Sequence, residues 1–395
     1  VAVTRQIRAR AIGALLAIVI SLGISAPSFS AVLPEDRSDV MYHQYNGGGV
    51  TIDGPSVLVR KGFKDKISVW GNYYTDSISG ASIDLLSRGS NFYQEFREEK
   101  SLGFDYLHNR TTLSLSATNS EERDYSANNV AFAVSQDFFG DMTTLSMNYS
   151  QSNNEVRRNL YEDDVLVDTE DVGDARSQRF GIGLTQVLTR KWIVALNVES
   201  VIDDGYLNNP YRDVRFLTPE GINWQGEVYP ETRNSDALAV KSMYYLPWKA
   251  SLKLEYRTFG DSWGIRADSY ELLYTQQIKQ RLIVQAKYRN YNQTAADFFS
   301  DLFPFESAQN FLARDKELSE FSSVALGLGA TYELKYDFLN WFDSTTVNFY
   351  IDNINFDYKN FREALPEITE QVGAGNEPFF KLQSNVVRFF ISFKY

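Results

Sequence analysis

The segment "VALGLGATYELKY", Val324–Tyr336, alternates without a break. Val324, Leu326, Leu328, Ala330, Tyr332 and Leu334 fall on one side of an extended chain, and Gly327, Gly329, Thr331, Glu333 and Lys335 on the other. Successive side chains of a strand point to opposite faces, so this period of two describes a strand with one apolar and one polar face. The run is also much longer than the usual strand of about 5–6 residues.

Neighbouring segments repeat the pattern. In "RLIVQAKYRNY" (Arg281–Tyr291), Leu282, Val284, Ala286 and Tyr288 oppose Gln285, Lys287 and Arg289. In "ASLKLEYRT" (Ala250–Thr258), Leu252, Leu254 and Tyr256 oppose Lys253, Glu255 and Arg257. "LSLSATN", "LSMNYSQ" and "VNFYIDN" follow suit. A soluble β-sandwich also alternates. Here, however, the runs are long, their apolar faces end on Tyr, Phe or Trp, and their other faces carry charge or Gly, Ser and Thr. That combination fits a sheet with lipid outside and water inside. Lipid offers the backbone no hydrogen bonds, so such a sheet must close on itself. The expected fold is all-β, a transmembrane antiparallel β-barrel.

The connections alternate in length. Short ones lie at 61–66, 108–110, 138–142, 188–192, 246–250 and 278–282, with a slightly longer one at 337–344. Long polar pieces lie at 79–96, 119–127, 153–176, 203–235, 292–320 and 359–383. Short periplasmic turns and long extracellular loops are the outer-membrane rule. About 15 segments follow residue 50. Placing both ends of the barrel in the periplasm requires an even number. "MYHQYNGG" (Met41–Gly48) then rises, the chain turns near "GGVTIDGP" (Gly48–Pro55), and "SVLVRK" (Ser56–Lys61) descends. The expectation is 16 strands, with 14 as the alternative.

Both ends of the sequence carry signals. Arg5, Arg8 and Arg10 precede the apolar run "AIGALLAIVISLGI" (Ala11–Ile24), and small residues at Ser28 and Ser30 mark a cut after Ser30. This reads as a signal peptide over 1–30 followed by a barrel over 31–395. A membrane anchor would need an apolar run of about 20 residues. No Cys follows the cut, which excludes a lipidated mature end, and too few residues precede the first strand for an N-terminal plug. At the other end, "NVVRFFISFKY" (Asn385–Tyr395) sets Phe389, Ile391, Phe393 and Tyr395 on one face, with Arg388 and Lys394 on the other. It resembles the C-terminal signal read by the barrel assembly machinery, with Tyr395 where Phe is more usual.

Composition agrees. The net charge of -12 argues against nucleic acid as partner. The absence of Cys suits a chain exported unfolded into an oxidising compartment. The expected surroundings are outer-membrane lipid and lipopolysaccharide.

Three stretches carry a further resemblance: "YHQYNGGGVTIDGPSVLVRKGFKDKISVWGNYYTDSISGASID" from Tyr42, "LGFDYLHNRTTLSLSATNSEERDY" from Leu102 and "GYLNNPYRDVRF" from Gly205. They resemble the uncharacterised outer-membrane family called domain of unknown function three-five-seven-zero, strongest from Tyr42 to about Asn159. The resemblance implies a β-barrel with no established activity. It also implies a periplasmic lipoprotein or flavoprotein as partner, because members are often encoded beside a small lipoprotein and a flavin transferase.

Alternation nominates Lys253, Glu255, Arg257, Lys287, Arg289, Glu333, Lys335 and Arg388 for the lumen, with Lys394 beside them. Mixed inward charge fits either a hydrated channel or an interior closed by ion pairs. The acidic stretch "YEDDVLVDTEDVGD" (Tyr161–Asp174) offers Asp163, Asp164, Asp168 and Asp171 to a divalent cation, though without EF-hand spacing. A solvated loop bridged to lipopolysaccharide is the plainer reading. Gly47, Gly48 and Gly49 either make a barrel bend or thin the wall where loop backbone, such as 79–90, packs against it. No helix pattern follows them, which argues against a phosphate loop.

Only two His occur, His43 and His108. Neither has the neighbours of a barrel hydrolase, so His43 reads as a wall residue, and no catalytic residue or cofactor is expected. Loops 203–235 and 292–320 carry apolar anchors, among them Phe216, Trp224, Phe298 and Phe303, that can fold over the mouth. The functional expectation is a passive, porin-like channel for a small solute. The alternative is a plugged barrel that sheaths a periplasmic partner.

Overall fold

Sixteen antiparallel strands close into one barrel in this computed structural model, which describes residues 32–80, 87, 93–162, 165–335 and 341–395. The first nine are β1 (Arg37–Gly47), β2 (Val50–Phe63), β3 (Ile67–Gly80), β4 (Tyr93–His108), β5 (Thr111–Glu121), β6 (Tyr125–Phe138), β7 (Thr143–Glu162), β8 (Val165–Thr189) and β9 (Trp192–Gly205). A separate hairpin, β10 (Asp213–Thr218) and β11 (Gly221–Gly226), interrupts the series. The barrel resumes with β12 (Thr232–Leu246), β13 (Ala250–Asp261), β14 (Arg266–Ile278), β15 (Leu282–Gln293), β16 (Phe321–Leu334), β17 (Ser344–Arg362) and β18 (Phe379–Lys394). A short helix, α1 (Pro366–Val372), lies between the last two.

Closure joins the chain's ends: β1 pairs with β18 from Arg37↔Lys394 to Gly47↔Ser384. No lateral edge is left to recruit another chain. One face of the strands is apolar and exposed, with Val57, Leu102, Leu115, Val130, Leu254, Leu326 and Leu328 along it. Exposure of so much aliphatic surface is stable only against lipid. Aromatic residues mark the borders of this band. At the upper border the Tyr42 hydroxyl donates to Asp53 at 2.6 Å and the Tyr73 hydroxyl to Glu98 at 2.7 Å. At the lower border Trp192 Nε1 donates to Ser242 at 2.9 Å and Trp248 Nε1 to the Tyr274 hydroxyl at 3.1 Å. An aromatic ring with one polar edge suits the headgroup level.

The described periplasmic connections are tight, as at 109–110 and 190–191. The other end differs from expectation in two places. The turn near Gly48–Pro55 is only Gly48–Gly49, at φ 62° and 80°, with both residues in the left-handed region that a two-residue hairpin demands. Asp53, Gly54 and Pro55 belong to β2 instead. Second, the described residues of the supposed loop 153–176 are strand: β7 and β8 stay paired from Thr143↔Gln186 to Glu162↔Val165, with two register shifts. Beyond the bilayer both faces of a ladder meet water, so the alternation that reveals a strand disappears while its hydrogen bonds continue. Likewise 119–127 shrinks to a turn between Glu121 and Tyr125. Residues 1–30, read above as a signal peptide, and most of 79–90 lie outside the described residues.

Three long extracellular connections, 206–231, 294–320 and 363–378, fold together into a cap. Isolated bridges Phe216↔Phe303 and Val228↔Leu312 join the first two, and Phe299↔Ala313 lies within the second. The cap has its own apolar centres. Val214, Phe216, Phe303 and Leu312 form one, and Tyr229, Trp263, Ile265 and Phe298 belong to another. A third, with Phe321, Tyr358, Phe361 and Phe380, anchors the cap to the tops of β16–β18.

Candidate functional site

The interior wall is chemically divided. On β5–β7 it is built from small residues, such as Ser114, Ser116, Ala131, Ala133 and Ser150, at positions that pair across strands. From β8 to β18 it is charged. Lys253, Glu255 and Arg257 sit on β13, opposite in facing to the exposed Leu254 and Tyr256. Glu255 and Glu271 are register partners, an arrangement of like charges that is unfavourable by itself. Lys253 Nζ resolves it, lying 3.0 Å from Glu255 and 3.1 Å from Glu271. Lys241 approaches Glu255 at 3.5 Å. Arg257 and Arg179 share Glu199 at 3.5 and 3.8 Å.

On the other side of this stripe, Lys287 of β15 meets Asp352 of β17 at 2.6 Å, skipping β16. The skip is possible because Gly327 lies between them: a Cβ there would sit 2.1 Å from Asp352 Oδ1 and 3.0 Å from Lys287 Cε. Arg388 of β18 takes the second oxygen of Asp352 at 3.1 Å. Arg289 has no carboxylate partner among the described residues; its guanidinium lies 5.9 Å from the Tyr291 ring. Glu333 and Lys335 pair loosely at 3.7 Å near the periplasmic end, and Lys394 pairs with Glu35.

His43 repeats the strand-skipping device. It is the register partner of Arg388 on one side and of Gly54 on the other. Its ring stacks on Tyr74 of β3 at 4.7 Å, and at Gly54 a Cβ would lie 1.9 Å from the Thr75 carbonyl oxygen. His43 Nε2 lies 2.7 Å from Asp76 Oδ1. The wall is thus cross-braced through β1–β3 and through β15–β18. What packs on Gly47 is Ser384 of β18, and on Gly48 the side chain of Leu382, rather than described loop backbone. His108 ends β4 at the periplasmic side, beside Tyr106.

Burial separates two kinds of polar assembly. In the middle of the wall the cations stay partly wet: Arg388 is 44% exposed and Arg257 38%, although Asp352, between Arg388 and Lys287, is 10% exposed. In the cap, Arg215 is 1% exposed and Glu377 is fully buried. Arg215 reaches Asp301 and Glu377 at 2.5 Å each, linking all three cap connections. Arg314 adds a 3.1 Å contact to Asp301, and the Thr369 hydroxyl donates to Glu377 at 2.8 Å. Burial opposes ionisation of Glu377, but the hydrogen bonds from Arg215 and Thr369 prevail and hold its carboxyl down to about 2. At Glu227 the balance goes the other way, although the Arg212 charge lowers its carboxyl a little. Burial pushes its carboxyl up to about 7, against the hydrogen bonds from the Tyr229 hydroxyl at 2.5 Å and the Arg314 backbone at 2.7 Å. Between cap and lumen lies a cavity of about 500 Å³, lined by Asp203, Tyr229, Arg233, Trp263, Asp315 and Phe321.

Among the described residues the acidic stretch gathers no metal-holding group. Asp163 and Asp164 lie outside the described residues, and no metal-holding group of carboxylates and His occurs among the described ones. Asp168 and Asp171 lie exposed on the projecting part of β8, where Asp171 pairs in register with Arg157. Glu170 bonds Arg158 at 2.7 Å. The C-terminal Phe389, Ile391 and Phe393 lie on β18, with Phe393 against Phe342 at 4.9 Å.

Several residues of the wall and cap escape a reading of sequence alone. Glu199, Lys241, Glu271 and Asp352 sit at alternate positions of recognisable strands and were open to the same parity count. Arg215 and Glu377 were not, since 162 residues separate them.

A comparison with the curated proteins finds no match. Among solved structures the fold is similar to that of a bacterial polysaccharide outer membrane secretin, with 5% identity and TM-score 0.47 over 92% of this chain and 100% of the other. It is also similar to OccK2 (OpdF) of Pseudomonas aeruginosa, solved in complex with glucuronate, with 10% identity and TM-score 0.42 over 92% and 99%. The chain spans 60% of the length of the siderophore receptor PirA from Pseudomonas aeruginosa, which matches 86% of this chain at 10% identity and TM-score 0.43. The family model described as protein of unknown function (DUF3570) matches residues 88–355, and the chain, an outer-membrane β-barrel, belongs to that family.

Proposed function

We propose that the protein is a passive channel that admits a small solute across the outer membrane, beneath a cap that narrows its outer mouth. One observation carries the reading. Cations in the middle of the interior wall keep part of their surface exposed: Arg257 38%, Arg388 44%, Lys287 28% and Lys253 26%. A barrel closed by its own side chains would bury them, as the cap buries Arg215 and Glu377. Charged residues on the wall of a wet lumen set selectivity. Single-channel recording of the refolded protein in a planar bilayer tests this. Stable, salt-dependent steps are expected; silence from protein whose folding is verified by heat-modifiable gel mobility rules out the channel.

A second reading rests on the asymmetry of the two ends. The described periplasmic turns are short, whereas the cap on the outside is cored and ion-paired. A lumen entered from the periplasm is the geometry of a sheath for a periplasmic lipoprotein or flavoprotein. Silent, folded protein that co-purifies with such a partner favours this second reading.

A further inference from the structure

The Lys287–Asp352–Arg388 cluster holds more positive charge than it neutralises. Two cations share one carboxylate, at 2.6 and 3.1 Å, and Asp352 is only 10% exposed. Each oxygen of Asp352 is thus engaged. Arg388 spends only part of its donor fork on that carboxylate, and its Nε is buried with no hydrogen-bond partner. A guanidinium offers five donors in one plane and favours a second oxyanion. Arg289 lies one alternate position from Lys287 on β15, without a carboxylate of its own among the described residues.

The cluster opens on a cavity of about 310 Å³ in the wall, floored by the backbone of Gly327 and Gly329. One side of it is flat and aromatic. Tyr350 and Phe390 stack at 5.9 Å with planes 7° apart, and Arg388 stands 5.6 Å from the centre of the Tyr350 ring. Gly329 keeps this surface flat, since a Cβ there would sit 2.3 Å from the Tyr350 ring. The volume is at the small end of ligand pockets, which run from about 300 Å³ upward.

We infer that this pocket is a subsite for a small carboxylate with a flat apolar body, the carboxylate set on Arg388 and Lys287 and the body against Tyr350. The inference rests on the channel reading for its role in transport, though not for binding itself. A solute held by cations already shared with Asp352 binds weakly enough to leave again, which conduction requires. The sequence as a whole carries a net charge of -12, whereas this cluster sets two cations against one carboxylate.

Benzoate is the probe, with benzamide as its uncharged counterpart. Two measurements on the refolded protein separate the claims. Calorimetric titration in detergent is expected to show benzoate binding at least tenfold tighter than benzamide. Arg388→Gln and Lys287→Gln should each abolish that preference, and Arg388→Lys should keep part of it. In the bilayer, benzoate should reduce wild-type current more than benzamide does. Binding without any current would retain the subsite and remove the channel. Current with equal binding of the two probes, or a preference unchanged in either Gln variant, would overturn the subsite and leave the channel. Should Arg388→Gln fail to fold, Lys287→Gln alone decides.

Discussion

The hydroxyl of Tyr395 donates to the backbone carbonyl of Arg60 at 3.1 Å, so the last residue reaches past β1 to touch β2. The same hydroxyl lies 3.3 Å from Ser38 Oγ, and Lys61 Nζ stands 4.9 Å from the ring centre. A terminal Phe would keep the ring and lose this tie. Tyr395→Phe is expected to assemble and to lose about 1 kcal/mol in urea unfolding, the worth of one ordinary hydrogen bond. A Phe variant that cannot assemble, judged by heat-modifiable mobility, would mean the hydroxyl is needed for closure itself.

Breaking the buried pair in the cap should loosen the cap alone. Arg215→Met takes the guanidinium from Glu377 and leaves Asp301 with Arg314. Removing one partner of a buried ion pair costs about 3–5 kcal/mol. Amide exchange is expected to rise at Val214, Phe216, Leu312 and Ala313 and to stay unchanged in β13–β15. Equal acceleration in the strands would show that cap and barrel unfold as one unit.

The cap should also respond to pH, and the sign follows from Glu227. Its carboxyl lies at about 7 when buried, against an ordinary 4.5. A raised acid stabilises the folded cap fully below the ordinary value and loses that contribution as pH rises through about 7. At roughly 1.4 kcal/mol per unit, the loss is at most about 3 kcal/mol. Glu377, held down to about 2, acts oppositely, but only in strong acid. Exchange in 223–229 and 311–316, corrected for its intrinsic pH dependence, should therefore be faster at pH 8 than at pH 5. Glu227→Gln should abolish the difference; its persistence in that variant would exclude Glu227 as the cause.

Gly54, the register partner of His43, lets β2 pack closely on Thr75 of β3. In Gly54→Ala the new methyl would meet the Thr75 carbonyl at 1.9 Å, a backbone atom that cannot swing away. Overpacking of this kind costs about 1–3 kcal/mol. Gly71→Ala, whose methyl would meet only the Ser101 carbonyl at 3.8 Å, is the control. The folded fraction of the first variant should fall, and that of the second should not. Equal yields would mean that the wall yields at Gly54.

The barrel was legible because lipid on one face and water on the other impose a period of two on strands such as Val324–Leu334. The same physics hides β7 and β8 above the membrane, where both faces meet water and polar residues suit either. Lumen charges such as Lys253 and Arg388 could be placed by parity, but their partners on neighbouring strands depend on register. Gly54 read as part of a turn because Asp53-Gly54-Pro55 has turn chemistry; in β2 its bare backbone instead packs on the Thr75 carbonyl. The cap was legible only as apolar loops. Arg215, Asp301 and Glu377 come from three separate connections, and no local pattern announces their meeting.

The seam between β1 and β18 has a kinetic consequence. Ser38 and Tyr395, in contact there, are 357 residues apart, so the pairing that closes the barrel is also among its least local. Every other barrel strand pairs with a partner close in sequence and can form by successive hairpins; the seam must wait for all of them. Until then the sheet has two unsatisfied edges, and a chain lacking β18 would leave β1 and β17 open. Shortening this protein by one strand therefore yields an open sheet in search of a partner, and not a narrower barrel.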